Sequence, residues 1–386
     1  MIRMRQWMAA LSFCAALAAC SGSSDGDQSA RVSYDRLVIF GDSLSDVGTY
    51  QVSTIAAIGG GQYTVNSGGG TNWSQVLASQ LGVDEPCAEM TGLDSVIAAI
   101  PAVAVSTHDG CYSYAQGGAR VTNPVGPGNI ALWLYYSESS GQLGQLTVPI
   151  VTQIGNHLAA VGGSFDSSDL VAVLAGGNDV FINLATVEST IEQYTQAGAD
   201  AATIAAAAEQ AAADAVTAMG TAGAEEAAYI KTLILANGAK RVVVLNVPDM
   251  SLIPMVQALD TDTQALVNTM VATFNAQLAA GLSGTDDTVL QVDLYTQSQA
   301  QFSNPSQYGL SNVTTPACDL TDSRGQTTTA ALLLAATQTS LLCTTDTTLD
   351  TDVSRYQYAD TVHPTPYAHQ QIAQLVATRM AQKGWL

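Results

Sequence analysis

Apolar residues along this chain collect in short runs separated by polar, glycine-rich stretches. Four runs stand out: Arg36 to Phe40, Leu170-Val171-Ala172-Val173-Leu174-Ala175, Arg241-Val242-Val243-Val244-Leu245-Asn246-Val247 and Val289-Leu290-Gln291-Val292-Asp293-Leu294. Each reads as a parallel strand buried on both faces. Between and after them lie helical stretches at about residues 200–235, 263–282 and 366–383. The alanine bias over residues 197–228 lacks the sustained leucine heptads of a coiled coil, so it reads as a long packing helix. Strand and helix alternate, which predicts a doubly wound three-layer α/β/α sandwich with its functional groups at the carboxyl ends of the strands. Residues 54–70, rich in glycine, and 304–351, rich in threonine, fit neither pattern; they read as surface insertions near the mouth of a site. Neither internal repeats nor a second domain are indicated, so residues 33–386 form one expected domain.

The N-terminus changes the picture. Arg3 and Arg5 precede an apolar stretch from Trp7 to Leu17 that is too short to span a bilayer, and Leu17-Ala18-Ala19-Cys20 follows. Residues 1–19 therefore read as an export signal, and the cysteine after Leu-Ala-Ala resembles a bacterial lipobox, in which it is lipidated and becomes the first residue of the mature chain. Ser21 after that cysteine resembles lipoproteins sorted to an outer membrane. The small polar residues up to 32 read as a flexible tether.

Beyond Cys14 and Cys20, four cysteines remain, an even number in an exported chain. Two disulfides are expected. Of the three possible connectivities, sequence-local closure favours Cys87–Cys111 and Cys318–Cys343, each stapling a long irregular segment. A zinc site is the rival, but there is no Cys-x-x-Cys spacing and the chain has 4 histidines, so no metal is expected. Counted from Cys20, the chain keeps 10 of its 12 basic residues against 33 acidic ones, a net of −23. That charge excludes nucleic acid as a partner and argues against electrostatic adhesion to anionic phospholipid, leaving a lipid on Cys20 as the expected membrane attachment.

Phe40-Gly41-Asp42-Ser43-Leu44-Ser45-Asp46 places a serine at the tip of the turn that ends the first strand. Serine needs a base to become nucleophilic, a group to orient that base, and donors for an oxyanion. His363 can take the proton, and Asp360, three residues earlier, can hold the other imidazole nitrogen. Asn178 follows the second apolar run, and Gly117-Gly118 lies in a glycine-rich stretch between Ser43 and Asn178. Ser43 is expected to open a helix, whose dipole and free N–H groups favour developing negative charge. Asp42, Asp46 and Asp179 read as turn and cap acceptors, and Asp179 is expected to hold its own loop. Trp73 suits either the substrate site or the core.

Gly41-Asp42-Ser43-Leu44-Ser45, Tyr114-Ala115-Gln116-Gly117-Gly118-Ala119, Gly176-Gly177-Asn178-Asp179 and Asp360-x-x-His363 resemble the four ordered blocks of the GDSL, or SGNH, hydrolase family. The resemblance spans nearly the whole mature chain. It implies a flavodoxin-like, mostly parallel five-stranded sheet and a catalytic Ser43, Asp360 and His363. It also implies an oxyanion hole from Ser43, Gly118 and Asn178, with Gly117 an open alternative to Gly118. Ser113 stands where many relatives carry asparagine. Asn246-Val247-Pro248-Asp249-Met250 also fits the family and reads as scaffold.

The expected activity is cleavage of carboxylic esters, lipid or fatty-acyl esters by the example of lipolytic relatives, through an acyl-enzyme on Ser43 and without a cofactor. Acyl transfer to an alcohol, deacetylation of polysaccharide, and a non-catalytic surface binding lipoprotein are the alternatives. The last would be marked by a missing serine, histidine or asparagine, and all three are present.

Overall fold

The structure, a computed structural model, describes residues 32–66, 72–136 and 139–386. The expected signal, Cys20 and nearly all of the tether lie outside the described residues, as do residues 67–71 of the glycine-rich stretch.

Strands β1 (Arg36–Gly41), β2 (Met90–Leu93), β3 (Val103–Thr107), β4 (Asp169–Leu174), β5 (Val242–Leu245) and β6 (Val289–Val292) form two sheets. The main sheet runs β1-β4-β5-β6 with every neighbour parallel. It has four strands among the described residues, where five were expected. On the open side of β1 the chain at 112–116 occupies the fifth position: Ile39 N–H donates to Tyr112 O (2.9 Å), Tyr114 N–H to Ile39 O (2.8 Å) and Gln116 N–H to Gly41 O (3.1 Å). Only Ser113 forms a ladder bridge there. The disulfide at Cys111 ends the segment on one side and the Gly117-Gly118 turn on the other, so it has no length in which to become a regular strand.

Successive strand residues point to opposite faces, and both faces are covered. Val38, Phe40, Val171, Val173, Val242 and Val244 face the layer built by helices Ile150–Ala160, Gly177–Gln196, Ala201–Tyr229 and Thr261–Gly281. Leu37, Ile39, Leu170, Ala172, Val243 and Leu245 face Trp73 and Leu77 of helix Trp73–Leu81 and Val376 and Met380 of helix Pro366–Lys383. Burying each such aliphatic side chain contributes about 1.5–3 kcal/mol, which explains runs that are apolar without alternation. The expected helices at 263–282 and 366–383 appear as Thr261–Gly281 and Pro366–Lys383, and the one at 200–235 as Ala201–Tyr229 running into a π-helical turn, Ile230–Leu235.

Both disulfides form with the pairing that local closure favours, Cys87–Cys111 and Cys318–Cys343. The first closes the base of the antiparallel β2–β3 hairpin. The stretches at 54–70 and 304–351 are more than surface insertions. Ile55 and Tyr63 bury against Leu333, Leu341 and Leu342 in a core of their own, and Val65, Cys318, Leu334 and Cys343 form another. Asn66 joins the two stretches, its side-chain amide donating to Ser340 O (3.1 Å) and Cys343 O (2.9 Å).

Candidate active site

Strand β1 ends at Gly41, where a Cβ would stand 2.7 Å from Leu174 O of β4. Only glycine allows the two strands to end this close, and the closeness brings Ser43 and Asn178 to the same carboxyl edge. No helix opens at Ser43. Residues 42–46 form a turn in which Asp42 Oδ1 accepts from Leu44 N–H (3.0 Å) and Asp42 O from Ser45 N–H (3.0 Å). Asp46 then draws the chain into a second turn by accepting from Gly48 N–H (2.9 Å) and Thr49 N–H (2.8 Å), and the next helix starts only at Ser53. The expected help from a helix dipole at Ser43 is therefore withdrawn. The helix that does begin at the site is Gly177–Gln196, and it carries Asn178 in its first turn.

Ser43, His363 and Asp360 lie in one hydrogen-bonded line. Ser43 Oγ is 2.9 Å from His363 Nε2, and His363 Nδ1 is 2.8 Å from Asp360 Oδ2. Asp360 is buried with four partners: Oδ1 accepts from Val362 N–H (2.8 Å) and His363 N–H (2.7 Å), and Oδ2 accepts from Ser340 N–H (2.7 Å) as well as facing the imidazole. Burial alone would favour the neutral acid. The adjacent His363 and the converging N–H donors outweigh it and hold this carboxyl well below its ordinary range. The aromatic ring of Tyr63 covers His363 at 4.7 Å between centroids.

Opposite the histidine, the glycine pair is gripped from several sides. Gly117 N–H donates to Asp46 Oδ2 (2.9 Å), and Gly117 O accepts from Tyr50 Oη (2.8 Å). A Cβ on Gly117 would collide with the Tyr63 hydroxyl. Gly118 has φ +80°, a backbone conformation that favours glycine. Since the Gly117 N–H is occupied, Gly118 is the member of the pair with an N–H to offer; it lines the same cleft as Ser43, Asn178 and His363, which Gly117 does not. Asn178 Nδ2 donates to Ala119 O (2.8 Å), which orients the amide and leaves its second N–H available. Burial pushes the Asp46 carboxyl up to about 6 and that of Asp42 up to about 7, the backbone donors around each only partly offsetting it.

The remaining candidates fall into place as scaffold. Asp179 holds the neighbouring glycine block and not its own loop, accepting from Arg120 Nε (2.8 Å) and Val121 N–H (3.0 Å). Trp73 is fully buried in the core with Nε1 donating to Ser45 Oγ (3.1 Å), so it does not face the site. Asn246 Oδ1 accepts from Leu294 and Tyr295 N–H, as scaffold would. His369 accepts from Trp73 N–H (3.3 Å), and burial lowers it to about 3; His157 is buried beside Tyr114 and lowered to about 4. His108 is exposed beside Thr91. Among the described residues no group of three or more His, Cys, Asp or Glu could hold a metal ion. Sequence reasoning missed Tyr63, Ser340 and the Asp46–Gly117 clamp; a tyrosine in a glycine-rich stretch was the only visible signal.

Ser43 stands where two cavities meet. One, about 90 Å³, is walled mainly by apolar side chains such as Ala175, Val247, Met250, Ile253 and Leu294. The other is a wider, mixed cleft that holds His363, Gly118, Tyr63, Gln145 and Thr339. Asn178, Phe181 and Val362 border both.

Among solved structures, an extracellular lipase from Streptomyces rimosus is similar at 16% identity over 69% of this chain and 82% of its own, with a TM-score of 0.34. A chain described as a GDSL-like lipase from Parabacteroides merdae is similar at 13% identity over 92% of this chain and 99% of its own, with a TM-score of 0.38. No protein of curated function matches. The family model for GDSL-like lipase/acylhydrolase matches residues 37–376, from the first strand to within the last helix and across all four sequence blocks, so the chain belongs to the GDSL-like lipase/acylhydrolase family and is a hydrolase acting on esters.

Proposed function

We propose that this protein is exported, held to the cell envelope by lipid on Cys20, and hydrolyses carboxylic esters through an acyl-enzyme on Ser43. The observation that carries the catalytic part is the hydrogen-bonded line from Ser43 Oγ through His363 to Asp360. Ser43 Oγ attacks the ester carbonyl carbon as His363 Nε2 takes its proton, and Asp360 holds the imidazole by Nδ1 and stabilises the imidazolium. The tetrahedral oxyanion accepts from Ser43 N–H, Gly118 N–H and Asn178 Nδ2. His363 then gives its proton to the departing alcohol, and water repeats the sequence against the acyl-enzyme. Export is supported by the signal at 1–19 and by two disulfides, which persist in oxidising compartments. Leu17-Ala18-Ala19-Cys20 supports the anchor, and Ser21 supports the outer membrane as its place.

The test is release of nitrophenol from p-nitrophenyl esters by the purified protein beside Ser43→Ala. Loss of turnover by at least a thousandfold, with the fold intact by circular dichroism, is expected; turnover within tenfold of wild type removes Ser43 as nucleophile. Palmitate supplied to expressing cells should label the protein and not Cys20→Ser, and a labelled Cys20→Ser chain ends the anchor reading.

A further inference from the structure

Ser43 and Asp360 are joined to His363 by hydrogen bonds, whereas Tyr63 meets it face to face. The ring of Tyr63 is buried and lies 4.7 Å from the imidazole, centroid to centroid, with 38° between the planes. Its hydroxyl accepts from Gln145 Nε2 and fills the space that a Cβ on Gly117 would need. One side chain thus stands between the base, carried by the turn at 360–363, and the glycine block. Its own placement is fixed from both sides. The next residue, Thr64, donates through Oγ1 to Pro364 O (2.9 Å), and the Tyr63 backbone is hydrogen-bonded to His369 of helix Pro366–Lys383. Gln145 in turn packs against Gly118, where a Cβ would stand 2.9 Å from its Oε1.

We propose that Tyr63 is a positioning residue for the reaction, which spaces His363 from the glycine block and stabilises the imidazolium through the face of its ring. This rests on Ser43 as the nucleophile and His363 as its base. During turnover His363 is positively charged only while it holds the proton taken from Ser43. A cation within about 6 Å of an aromatic centroid is attracted by the negative face of the ring, and more strongly where water is excluded. The neutral imidazole gains far less, so the contact favours the transition state over the resting enzyme and acts on kcat rather than on KM. Tyr63 carries no proton itself. Burial pushes its phenol well above the ordinary value and keeps it neutral. The other ionisable groups that bear on His363 are Asp360 on its own turn, Asp42 from the turn after β1 and His369 from the last helix, with Glu188 bordering the same cleft. All of them are untouched by an exchange at position 63.

The experiment records kcat, KM and the pH profile of kcat/KM for a p-nitrophenyl ester with the purified protein and three variants. Tyr63→Phe keeps the ring and loses only the bond from Gln145; kcat should stay within about fivefold of wild type, with the acid limb of the profile unmoved. Tyr63→Leu keeps an apolar cover over the base and removes the π face. Its kcat should fall about tenfold with KM within about twofold, and the acid limb should move about half a pH unit lower, because an imidazolium without the ring is harder to form. The third variant is Tyr63→Phe with three fluorines on the new ring, which withdraw charge from its face and leave its shape nearly unchanged. Relative to Tyr63→Phe it should move the limb in the same direction as Tyr63→Leu, and it keeps the test decisive where Tyr63→Leu does not fold.

A role in packing alone lowers kcat and stability with the limb fixed, and that result in the fluorinated variant overturns the proposal. A limb displaced to higher pH overturns it as well. Ser43→Ala in parallel separates the two levels: activity that survives it sinks the nucleophile itself, while Ser43-dependent activity with an unmoved limb sinks only the role of Tyr63.

Discussion

Replacing Asp360 by asparagine should reduce turnover by about four orders of magnitude while leaving KM nearly unchanged. The structure shows why an isosteric change is so costly. Oδ1 keeps its partners, Val362 and His363 N–H, because the amide oxygen accepts as a carboxylate does. The NH2 group replaces Oδ2, which now faces two donors, Ser340 N–H at 2.7 Å and His363 Nδ1 at 2.8 Å. Two hydrogen bonds to a charged group are worth roughly 1.5–3 kcal/mol each, so stability should fall by about 3–6 kcal/mol if both go. The fall is smaller if the imidazole turns its lone pair on Nδ1 toward the new N–H. That rescue puts the proton on Nε2, the atom that must take one from Ser43, and the analogous tautomer error in serine hydrolases lowers kcat about 10⁴-fold.

Nitrophenol release gives kcat and KM, and urea unfolding gives the stability. Because the Asp360 carboxyl is held below its ordinary range, its contribution is complete above the unfolded value of about 3.9 and is lost as pH falls through the folded value. The stability gap between wild type and variant should therefore be flat from pH 5 to 8. A folded variant within tenfold of wild-type kcat refutes the reasoning, as does a loss seen in KM alone. Adding Asp360→Asn to Ser43→Ala should cost no further turnover, since residues acting as a unit do not lose twice.

Asp42 carries the opposite sign: its folded value is raised to about 7, so the stability it provides is present below the unfolded value near 4 and lost as pH rises through 7. Asp42→Asn should therefore flatten the urea-unfolding profile between pH 4 and 7 by a few kcal/mol, and an unchanged slope refutes the burial argument. Breaking Cys318–Cys343 by Cys318→Ser with Cys343→Ser opens a loop of sequence separation 25 and should lower stability by about 3.5 kcal/mol in calorimetry. It should also lower kcat, because Ser340 lies three residues from Cys343; a kcat equal to wild type separates the disulfide from the triad. Asn178→Ala should lower kcat about 10²–10³-fold with KM held. Failure of Asn178→Ala to do so removes its amide from the oxyanion hole.

Ser43, His363 and Asp360 were legible because few side-chain types can supply a nucleophile, a base and an orienting acceptor. Ser43, His363 and Asp360 make the proton line, and the first two apolar runs mark strands whose carboxyl ends carry Ser43 and Asn178. The flanking geometry was less legible for a definite reason. Ser340 reaches Asp360 through its backbone N–H, a group every residue except proline carries, so no residue type announces it. The fifth strand failed for a related reason: the segment at 112–116 makes strand-like hydrogen bonds to β1 but is cut short by a disulfide and a glycine turn. The helix expected at Ser43 was inferred from the strand-then-helix habit of such folds, and the aspartates that replace it with two turns act by side-chain capture of backbone N–H groups.

The two stretches that fitted neither pattern turn out to hold the site rather than to decorate it. Tyr63 comes from one and covers His363; Ser340 comes from the other and donates to Asp360. Asn66 fastens one to the other by way of Ser340 O and Cys343 O, and Cys343 is closed onto Cys318. His363 and Asp360 therefore sit on a turn, 360–363, whose position is set by segments about 20 and 300 residues away in the chain. Positioning of this kind needs rigid neighbours more than particular side chains. Exchange of the Asn66 amide for a residue of similar size without its donors should consequently disturb turnover before it disturbs the sheet, because Asn66 bonds to Ser340 O and Cys343 O and belongs to neither apolar cluster that covers the sheet.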